Sequence, residues 1–259
     1  MSLMPSERAE VTRIIASELG DTAKTISGVC AEGSHEAIDH ANRAGDAGAD
    51  GILLMPPHHW LRFGRRSRTA VGFFQDVADG ADLPIIVHQY PAWTRACYSL
   101  QEMLELVKIP QVVSIKMGTR DMARWRYDYE KLREASPEVT VLTCHDEYLL
   151  PTLLEGCDGA LVGFAGMVPE LIVEMVTCAL DGDLPGARGA QARLDPLARL
   201  VYSFGEPSGD AHQRMKCIMH LMGRFPSMTV RRPLRPLPDE EVEGLRASLK
   251  SLGYETGGV

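Results

Sequence analysis

The chain has 259 residues, of which 45% are hydrophobic and 24% charged, a composition typical of a globular protein with one large α/β domain or two smaller ones. Its formal net charge of -8 argues against nucleic acid or an anionic membrane as a partner. No apolar stretch approaches the length of a membrane span and no signal-peptide pattern is found at the N-terminus, so a cytoplasmic protein is expected.

The cysteines and the arginines give two further expectations. The six cysteines show neither Cys-x-x-Cys pairs nor metal-ligand spacing, which indicates a reducing compartment. Arginines cluster at positions 62–68 and again at positions 231–235. Each cluster is interpreted as a solvated loop or as a contact between subunits.

Strand and helix patterns alternate from the N-terminus to about residue 163. Short apolar runs rich in β-branched residues predict strands at 25–29, 51–55, 84–88, 112–117, 139–143 and 159–163. Amphipathic segments predict helices at about 6–20, 34–47, 67–78, 99–107, 121–135 and 146–154, with Ser34 as the cap of the second and Asp146 at the start of the sixth. After Pro169 only helices are predicted, the last at about 239–252.

Two segments of the chain repeat each other. In Ala47–Leu54 and in Glu155–Val162, a glycine ends a helix, a tight Gly-x-Asp-Gly turn follows, and a buried strand begins. Such turns are typical of parallel strands joined by crossover helices. The pattern leaves a (β/α)8 barrel and an open doubly wound sheet as candidates. No Gly-x-Gly-x-x-Gly follows any predicted strand, which weakens a dinucleotide-binding version of the second.

Titratable side chains follow several of the predicted strands. Four of the eight histidines stand at strand ends: His58, His59, His88 and His145. Because active sites collect at the C-terminal ends of parallel strands, this placement indicates a catalytic surface.

Lys116 closes the strand at 112–117 and is the most informative residue of the chain. A lysine at a strand end that points into an apolar cavity loses its proton more easily, and its free amine can attack a carbonyl to form a Schiff base. The alternative is a lysine whose side chain extends from the strand end into water.

Seven segments, spread in order over nearly the whole chain, carry a resemblance to a known family: Gly28, Ala47–Gly51, Met55–Pro57, Pro84–Val87, Ile115–Lys116, Gly159–Val162 and Arg232–Leu237. Together they are similar to the dihydrodipicolinate synthase / N-acetylneuraminate lyase family. The resemblance implies a TIM (β/α)8-type barrel over residues 1–166, a C-terminal helical extension over 167–259, and a homo-oligomer, either dimer or tetramer. It also implies that a lysine, matched here by Lys116, forms an imine with pyruvate or a related 2-oxo acid, without a metal or organic cofactor.

The first departure from the family concerns the barrel itself. The resemblance implies two further strands before the first helix, the second followed by a Gly-Thr-Thr-Gly-Glu loop that binds the carboxylate of the 2-oxo acid. Leu3–Arg8 matches the segment just after that loop. Six strands cannot close a barrel that needs eight, so the expected fold is an N-terminally incomplete barrel. Either the gene start is shortened or the gap is filled in another way.

The second departure concerns the site. His88 stands where the family carries its catalytic tyrosine, and Tyr90 follows two residues later on the same side of an extended segment. Trp93 stands where the synthases carry an arginine for a second carboxylate. His58 stands near the position at which the synthases carry a tyrosine that relays protons across subunits, and Cys144 stands where they carry a glycine. The implied catalytic residues are Lys116, His88 and Tyr90, and the implied substrate-binding residues are Gly28, His58, Trp93, Cys144, Leu161 and Val162.

These departures indicate an aldolase or hydro-lyase that acts on a 2-oxo acid, rather than the synthase of lysine biosynthesis. Trp60, Trp93 and Phe164 favour an apolar or aromatic aldehyde portion of the substrate over a dicarboxylic one. Two alternatives remain open. One is a catalytically impaired or inactive family member with an interaction role. The other is a metal-dependent barrel enzyme with His58, His88 and His145 as ligands.

Overall fold

The computed structural model describes residues 3–91, 94–202 and 209–257 of the chain. They form two compact units, residues 3–143 and 144–257. The predicted boundary between the barrel and its helical extension, at residues 166/167, marks the end of the barrel strands rather than a division into compact units, and it stays a prediction. Within the described residues, no helix is long and apolar enough to cross a membrane.

The first unit alternates helices with strands, as the sequence predicts. Its elements are α1 (Pro5–Leu19), β1 (Ile26–Val29), α2 (Ser34–Asp46), β2 (Gly51–Leu54), α3 (His59–Phe63), α4 (Ser67–Gly80), β3 (Ile85–Gln89), α5 (Leu100–Leu106), β4 (Val112–Met117), α6 (Met122–Ala135) and β5 (Thr140–Thr143). The short helix α3 was not predicted. Ser34 is not the cap of α2, because Gly33 holds that position and the Ser34 hydroxyl donates instead to Asp76 at 2.6 Å.

The five strands of this unit are parallel and neighbour each other in chain order, β1 to β5. One row of register partners crosses all five strands and is 1% exposed or less: Val29, Leu54, Val87, Ile115 and Val141. Because side chains alternate along a strand, the neighbouring rows point to the opposite face of the sheet. Aliphatic burial of one whole face is what fixes the register of the strands.

Strand β1 lies at the edge of this sheet. In the described part of the chain it pairs with β2 alone. Ile26 is 41% exposed and Gly28 is also exposed. The side chains of Val11 and Ile15 on α1 are exposed as well. Residues of α1 and β1, together with Cys30 and Met55, line a cavity of about 390 Å³.

The repeated turns are confirmed. Gly48 and Gly156 both adopt left-handed backbone conformations, with φ of 93° and 99°. The aspartate of the first turn, Asp50, has a structural role. Its carboxylate accepts hydrogen bonds from the Thr25 backbone N–H and from the Lys24 ammonium, each at 2.8 Å. The turn therefore ties the start of β2 to the residues that precede β1.

The second unit is mainly helical. Its elements are α7 (Leu149–Leu154), β6 (Gly159–Ala160), α8 (Phe164–Met167), α9 (Pro169–Leu180), α10 (Leu184–Tyr202), α11 (Gly209–Leu221) and α12 (Asp239–Ser251). The expectation that Asp146 opens a helix is wrong, since α7 begins at Leu149. The Asp146 carboxylate instead accepts the backbone N–H of Phe164 at 2.9 Å and the phenol of Tyr202 at 2.6 Å, both within this unit. Asp146 thus fixes the segment that follows β6.

Candidate active site

A row of side chains that includes two predicted site residues lies at the C-terminal ends of the strands of the first unit. His88, Lys116 and Leu142 are direct register partners on β3, β4 and β5. They follow the row Gly28, Leu53, Ile86, Ser114 and Thr140 by two residues, so they share its face of the sheet. Continuing the register by the same two residues beyond β1 and β2 brings Cys30 and Met55 into the row. The row is Cys30, Met55, His88, Lys116 and Leu142.

Two contacts support this continuation of the register. The Met55 backbone N–H donates to the Val29 carbonyl at 2.9 Å, which extends the β1–β2 ladder by one bond. The Met55 thioether sulfur lies 2.8 Å from Nδ1 of His88. Met55 therefore stands beside His88 on the same face of the sheet.

Lys116 lies between His88 and Leu142 and is partly exposed. Among the described residues it forms no ion pair and no hydrogen bond through its side chain. Its amine is thus not held by a carboxylate of this unit. The attack of this amine on a carbonyl, as the sequence predicts, stays a prediction.

His88 is electrically neutral in this setting. Burial, and to a smaller extent the charge of Lys116, lowers the pKa of the His88 imidazole to about 3. A thioether only accepts hydrogen bonds, so the contact with Met55 fits the tautomer with hydrogen on Nδ1 and leaves Nε2 as an acceptor. An imidazole in water titrates at about pH 6.5 instead. The difference arises because the strand end removes the ring from water.

Tyr90 packs edge-on against His88, with ring centroids 4.7 Å apart. Burial, together with the nearby Cys30, raises the pKa of the Tyr90 phenol to about 12. The phenol therefore stays protonated at neutral pH and is a hydrogen-bond donor. The placement of Tyr90 beside His88 agrees with the predicted side of the extended segment.

Gln89 holds the loop that follows Tyr90, a role that no sequence pattern indicated. Its side chain is fully buried, donates to the Tyr98 carbonyl and accepts from the Tyr98 N–H, both at 2.8 Å. This pair of bonds mimics a strand pairing and fixes the end of the loop. Trp93 belongs to the same loop but lies outside the described residues.

His58 follows β2 and its Nε2 lies 3.8 Å from the sulfur of Cys30. The Glu32 carboxylate positions this segment, because it accepts the backbone N–H groups of His58 and His59 at 3.0 and 3.1 Å, and the His59 ring at 2.7 Å. Burial raises the pKa of Glu32, but these donors outweigh it and leave the pKa below its ordinary value. Sequence reasoning missed Glu32, although a carboxylate shortly after a strand was a usable signal.

Arg65 has a buried side chain, so the expectation that the arginines at 62–68 form a solvated loop is wrong for this residue. Its side chain is 5% exposed and forms an ion pair with Glu102, whose side chain is 6% exposed. The guanidinium also lies over the rings of Trp60 and Tyr98. Arg65 therefore joins the loop after β2 to the start of α5 from inside the protein.

Two aromatic residues that favoured an aromatic substrate in the sequence are packing residues. Trp60 is 3% exposed and contacts Phe73, and Phe164 is fully buried and stacks on Tyr202 within the second unit. Both rings therefore pack against other aromatic rings of the protein. They give no support to a substrate preference.

The remaining predicted residues divide between the two units. Gly28 lies in the first, where it lines the cavity of about 390 Å³. Cys144, Leu161 and Val162 lie in the second, after β5 and β6, and their contact with substrate stays a prediction. Across the residues that the structure describes, no group of three or more His, Cys, Asp or Glu side chains could hold a metal ion.

Comparison with known proteins gives one consistent family. Residues 1–252 match the model of the dihydrodipicolinate synthetase family. An uncharacterized DapA-like lyase of Halobacterium salinarum is 30% identical over 97% of this chain and 78% of its own. A 4-hydroxy-tetrahydrodipicolinate synthase of Natronomonas pharaonis is 31% identical over 95% and 80%.

Among solved structures, YagE of E. coli K12, a prophage protein of the dihydrodipicolinic acid synthase family in complex with pyruvate, superposes with a TM-score of 0.86 at 26% identity. The match covers 98% of this chain and 83% of that one. The family match, the α/β fold with a helical C-terminal part and the lysine at the strand end agree, and the chain belongs to the dihydrodipicolinate synthetase family.

Proposed function

We propose that this protein is a lyase, either an aldolase or a hydro-lyase, that binds pyruvate or another 2-oxo acid as an imine on Lys116. The observation that carries the proposal is the position of Lys116. Its amine stands in a row of side chains at the ends of parallel strands, beside a neutral imidazole and without a carboxylate partner in the described parts of the chain. The pyruvate bound to YagE supports the choice of substrate class.

The chemistry follows from the amine. Lys116 attacks the ketone carbon of the 2-oxo acid, water leaves, and the resulting iminium draws electrons from the neighbouring carbon. Carbon–carbon cleavage or loss of water then occurs next to the iminium. The protonated phenol of Tyr90 serves as a proton donor, and Nε2 of neutral His88 accepts a hydrogen bond that orients the ligand.

The residues argue against the synthase reaction in particular. His88 occupies the position at which the resemblance implies the catalytic tyrosine, and Trp93 occupies that of the arginine for a second carboxylate. One relative at 31% identity is named a synthase, but identity at this level leaves room for both changes. A substrate without a second carboxylate is therefore proposed.

The same proposal includes the type of barrel, its bounds in the chain and the assembly of the protein into an oligomer. The strands fit a (β/α)8-type barrel of which this chain supplies six strands, with the barrel over residues 1–166 and the helical extension over 167–259. A cytoplasmic homo-oligomer, either dimer or tetramer, is proposed by family resemblance. The solved relative is matched over 83% of its length, which leaves room for further strands in the longer proteins.

Borohydride trapping tests the proposal directly. The protein is reduced in the presence of pyruvate and digested, and the modified peptide is identified by mass spectrometry. The expected result is one reduced pyruvate on Lys116. Lys116→Arg should abolish the adduct, whereas Lys108→Arg should leave it unchanged, because Lys108 is an exposed partner of Glu105. An adduct absent from Lys116 would contradict the imine mechanism.

A further inference from the structure

We propose that Met55 and Cys30 form the binding surface for the part of the substrate beyond the imine carbon, and that this part is an uncharged apolar group. The inference rests on the proposed function, because the imine fixes one end of the ligand at Lys116. It adds two residues that sequence reasoning did not assign to the site, and it names the class of 2-oxo acid. The predicted class is a 2-oxo acid with an aromatic or aliphatic far end.

The geometry of the sheet sets the direction and the length of this surface. Neighbouring strands lie about 4.8 Å apart, so His88 is about 5 Å, Met55 about 10 Å and Cys30 about 14 Å from Lys116 along the row. A ligand joined to Lys116 that lies along the row passes His88 and then contacts the Met55 thioether. A 2-oxo acid with a phenyl ring on its third or fourth carbon has the length for this contact.

The side chains of the row are uncharged beyond Lys116, which disfavours a substrate whose far end is anionic. The thioether of Met55 is neutral, and the lowered pKa keeps His88 neutral. Burial raises the pKa of the Cys30 thiol, and the nearby Arg8 offsets this only in part. A carboxylate placed against Met55 would lose hydration without gaining a charged partner. An apolar or aromatic group would gain contacts with polarizable sulfur instead.

The arginines near the row do not supply the missing charge. Arg65 is paired with Glu102, and Arg124 with Asp128. Two more cations line the adjacent cavity: Lys24 is paired with Asp50, and the Arg8 guanidinium donates to the backbone carbonyls of Leu3 and Cys30, each at 3.3 Å. Arg8 belongs to α1 and contacts the row only at Cys30, its far end. Arg8 also lines the cavity along α1 and β1, where its guanidinium is already engaged with these two carbonyls.

Space is present beside this part of the row. Cys30 and Met55 both line the cavity of about 390 Å³ along α1 and β1. This volume falls in the range of ordinary ligand pockets. Its walls include the apolar side chains of Leu3, Val11 and Ile15, together with the paired side chains of Arg8 and Lys24. The cavity therefore accepts an apolar group that extends past Met55.

A matched pair of 2-oxo acids tests the inference by the same borohydride trapping. 2-Oxo-4-phenylbutanoate and 2-oxoglutarate carry a phenyl group and a carboxylate, respectively, on the same carbon. The expected result for the wild-type protein is a half-saturating concentration roughly 100-fold lower for the phenyl compound, with pyruvate as the reference. Trapping needs only imine formation, so the test is independent of which lyase reaction follows.

Three variants localise the effect. Met55→Lys places an ammonium in the row and should shift the preference toward 2-oxoglutarate, whereas Met55→Leu should keep the wild-type preference. Val113→Lys is the matched control, because Val113 is 43% exposed and lies outside the row. It should leave the ratio of the two half-saturating concentrations unchanged.

The outcomes separate the two proposals. Trapped pyruvate together with equal or tighter binding of 2-oxoglutarate overturns the inference and leaves the imine mechanism intact. The same holds if Met55→Lys and Val113→Lys change the ratio equally. A failure to trap any of the three acids on Lys116 overturns the proposed function itself.

Discussion

His88 shows how its position decides the chemistry of a single residue. In water an imidazole is half protonated near pH 6.5, whereas at the end of β3 burial and the neighbouring Lys116 lower its pKa to about 3. The ring is therefore an orienting and accepting group at neutral pH, held by the thioether of Met55. A histidine at a strand end cannot be assumed to be an acid–base group from sequence alone.

The lowered pKa predicts how the stability of the first unit depends on pH. Below pH 6.5 the unfolded chain binds a proton at His88 that the folded chain does not bind until about pH 3, so stability falls as the pH decreases through this window. Between pH 7 and pH 5 the loss attributable to His88 should be about 2 kcal/mol. His88→Gln should remove that part of the loss.

The measurement is urea unfolding of wild-type protein and His88→Gln at pH 7 and pH 5. His35→Gln serves as the control, because His35 is exposed on α2. Equal pH dependence of the wild type and His88→Gln would show that the imidazole is not kept neutral by the fold.

At the scale of elements, polar side-chain contacts connect the loops that surround the row. Arg65 links the segment after β2 to α5, Gln89 links the end of β3 to Tyr98, and Glu32 links the segment after β1 to the start of α3. Each link is a side chain that satisfies groups from another part of the chain. The strand ends are thus held by side chains as well as by the sheet.

The Arg65–Glu102 pair gives a prediction at this scale. Removing one partner of a buried ion pair leaves the other charge uncompensated, which costs roughly 3–5 kcal/mol. Arg65→Ala should therefore lower the free energy of unfolding by about this amount, measured by urea unfolding. Arg68→Ala is the control, since Arg68 is exposed on α4 and should change stability by less than about 0.5 kcal/mol. A similar small effect of Arg65→Ala would mean that the pair is solvated.

The order of the elements could be predicted from the sequence because it depends on local signals. Alternating apolar runs and glycine-containing turns around Gly48 and Gly156 identified the strands of the parallel fold, and Lys116 stood out as a cation at the end of such a run. Each of these signals lies within a few consecutive residues. The match of the family model to residues 1–252 confirms the family suggested by the same segments.

The partners of polar side chains could not be predicted, because they depend on residues far apart in the chain. Arg65 finds Glu102 across 37 positions, and Asp146 finds Tyr202 across 56. Nothing in the sequence near Asp146 distinguishes a helix-opening carboxylate from one that binds a distant phenol. The neutral state of His88 was missed for the same reason, since it depends on neighbouring strands.

For the molecule as a whole, the cysteines give a simple prediction. All six are thiols rather than disulfides: Cys30, Cys97, Cys144, Cys157, Cys178 and Cys217. Cys157 and Cys217 are each 1% exposed. Stability should not depend on a reducing agent, and these two thiols should resist alkylation in the native protein because iodoacetamide cannot reach them.

The check is a thermal melt with and without dithiothreitol, together with mass spectrometry of native and denatured protein after alkylation. Both melts should coincide within error, and Cys157 and Cys217 should react only after denaturation. A lower melting temperature in dithiothreitol would reveal a disulfide.

The edge position of β1 affects how the protein behaves in concentrated solution. On its outer side the amide and carbonyl groups of Ile26–Val29 have no neighbouring strand within the described residues, and Val11 and Ile15 of the adjacent helix α1 are exposed. Such an edge is a template on which extended segments of other molecules can add through main-chain hydrogen bonds. Aggregation on warming should therefore begin at β1, while the interior strands of the sheet are still intact.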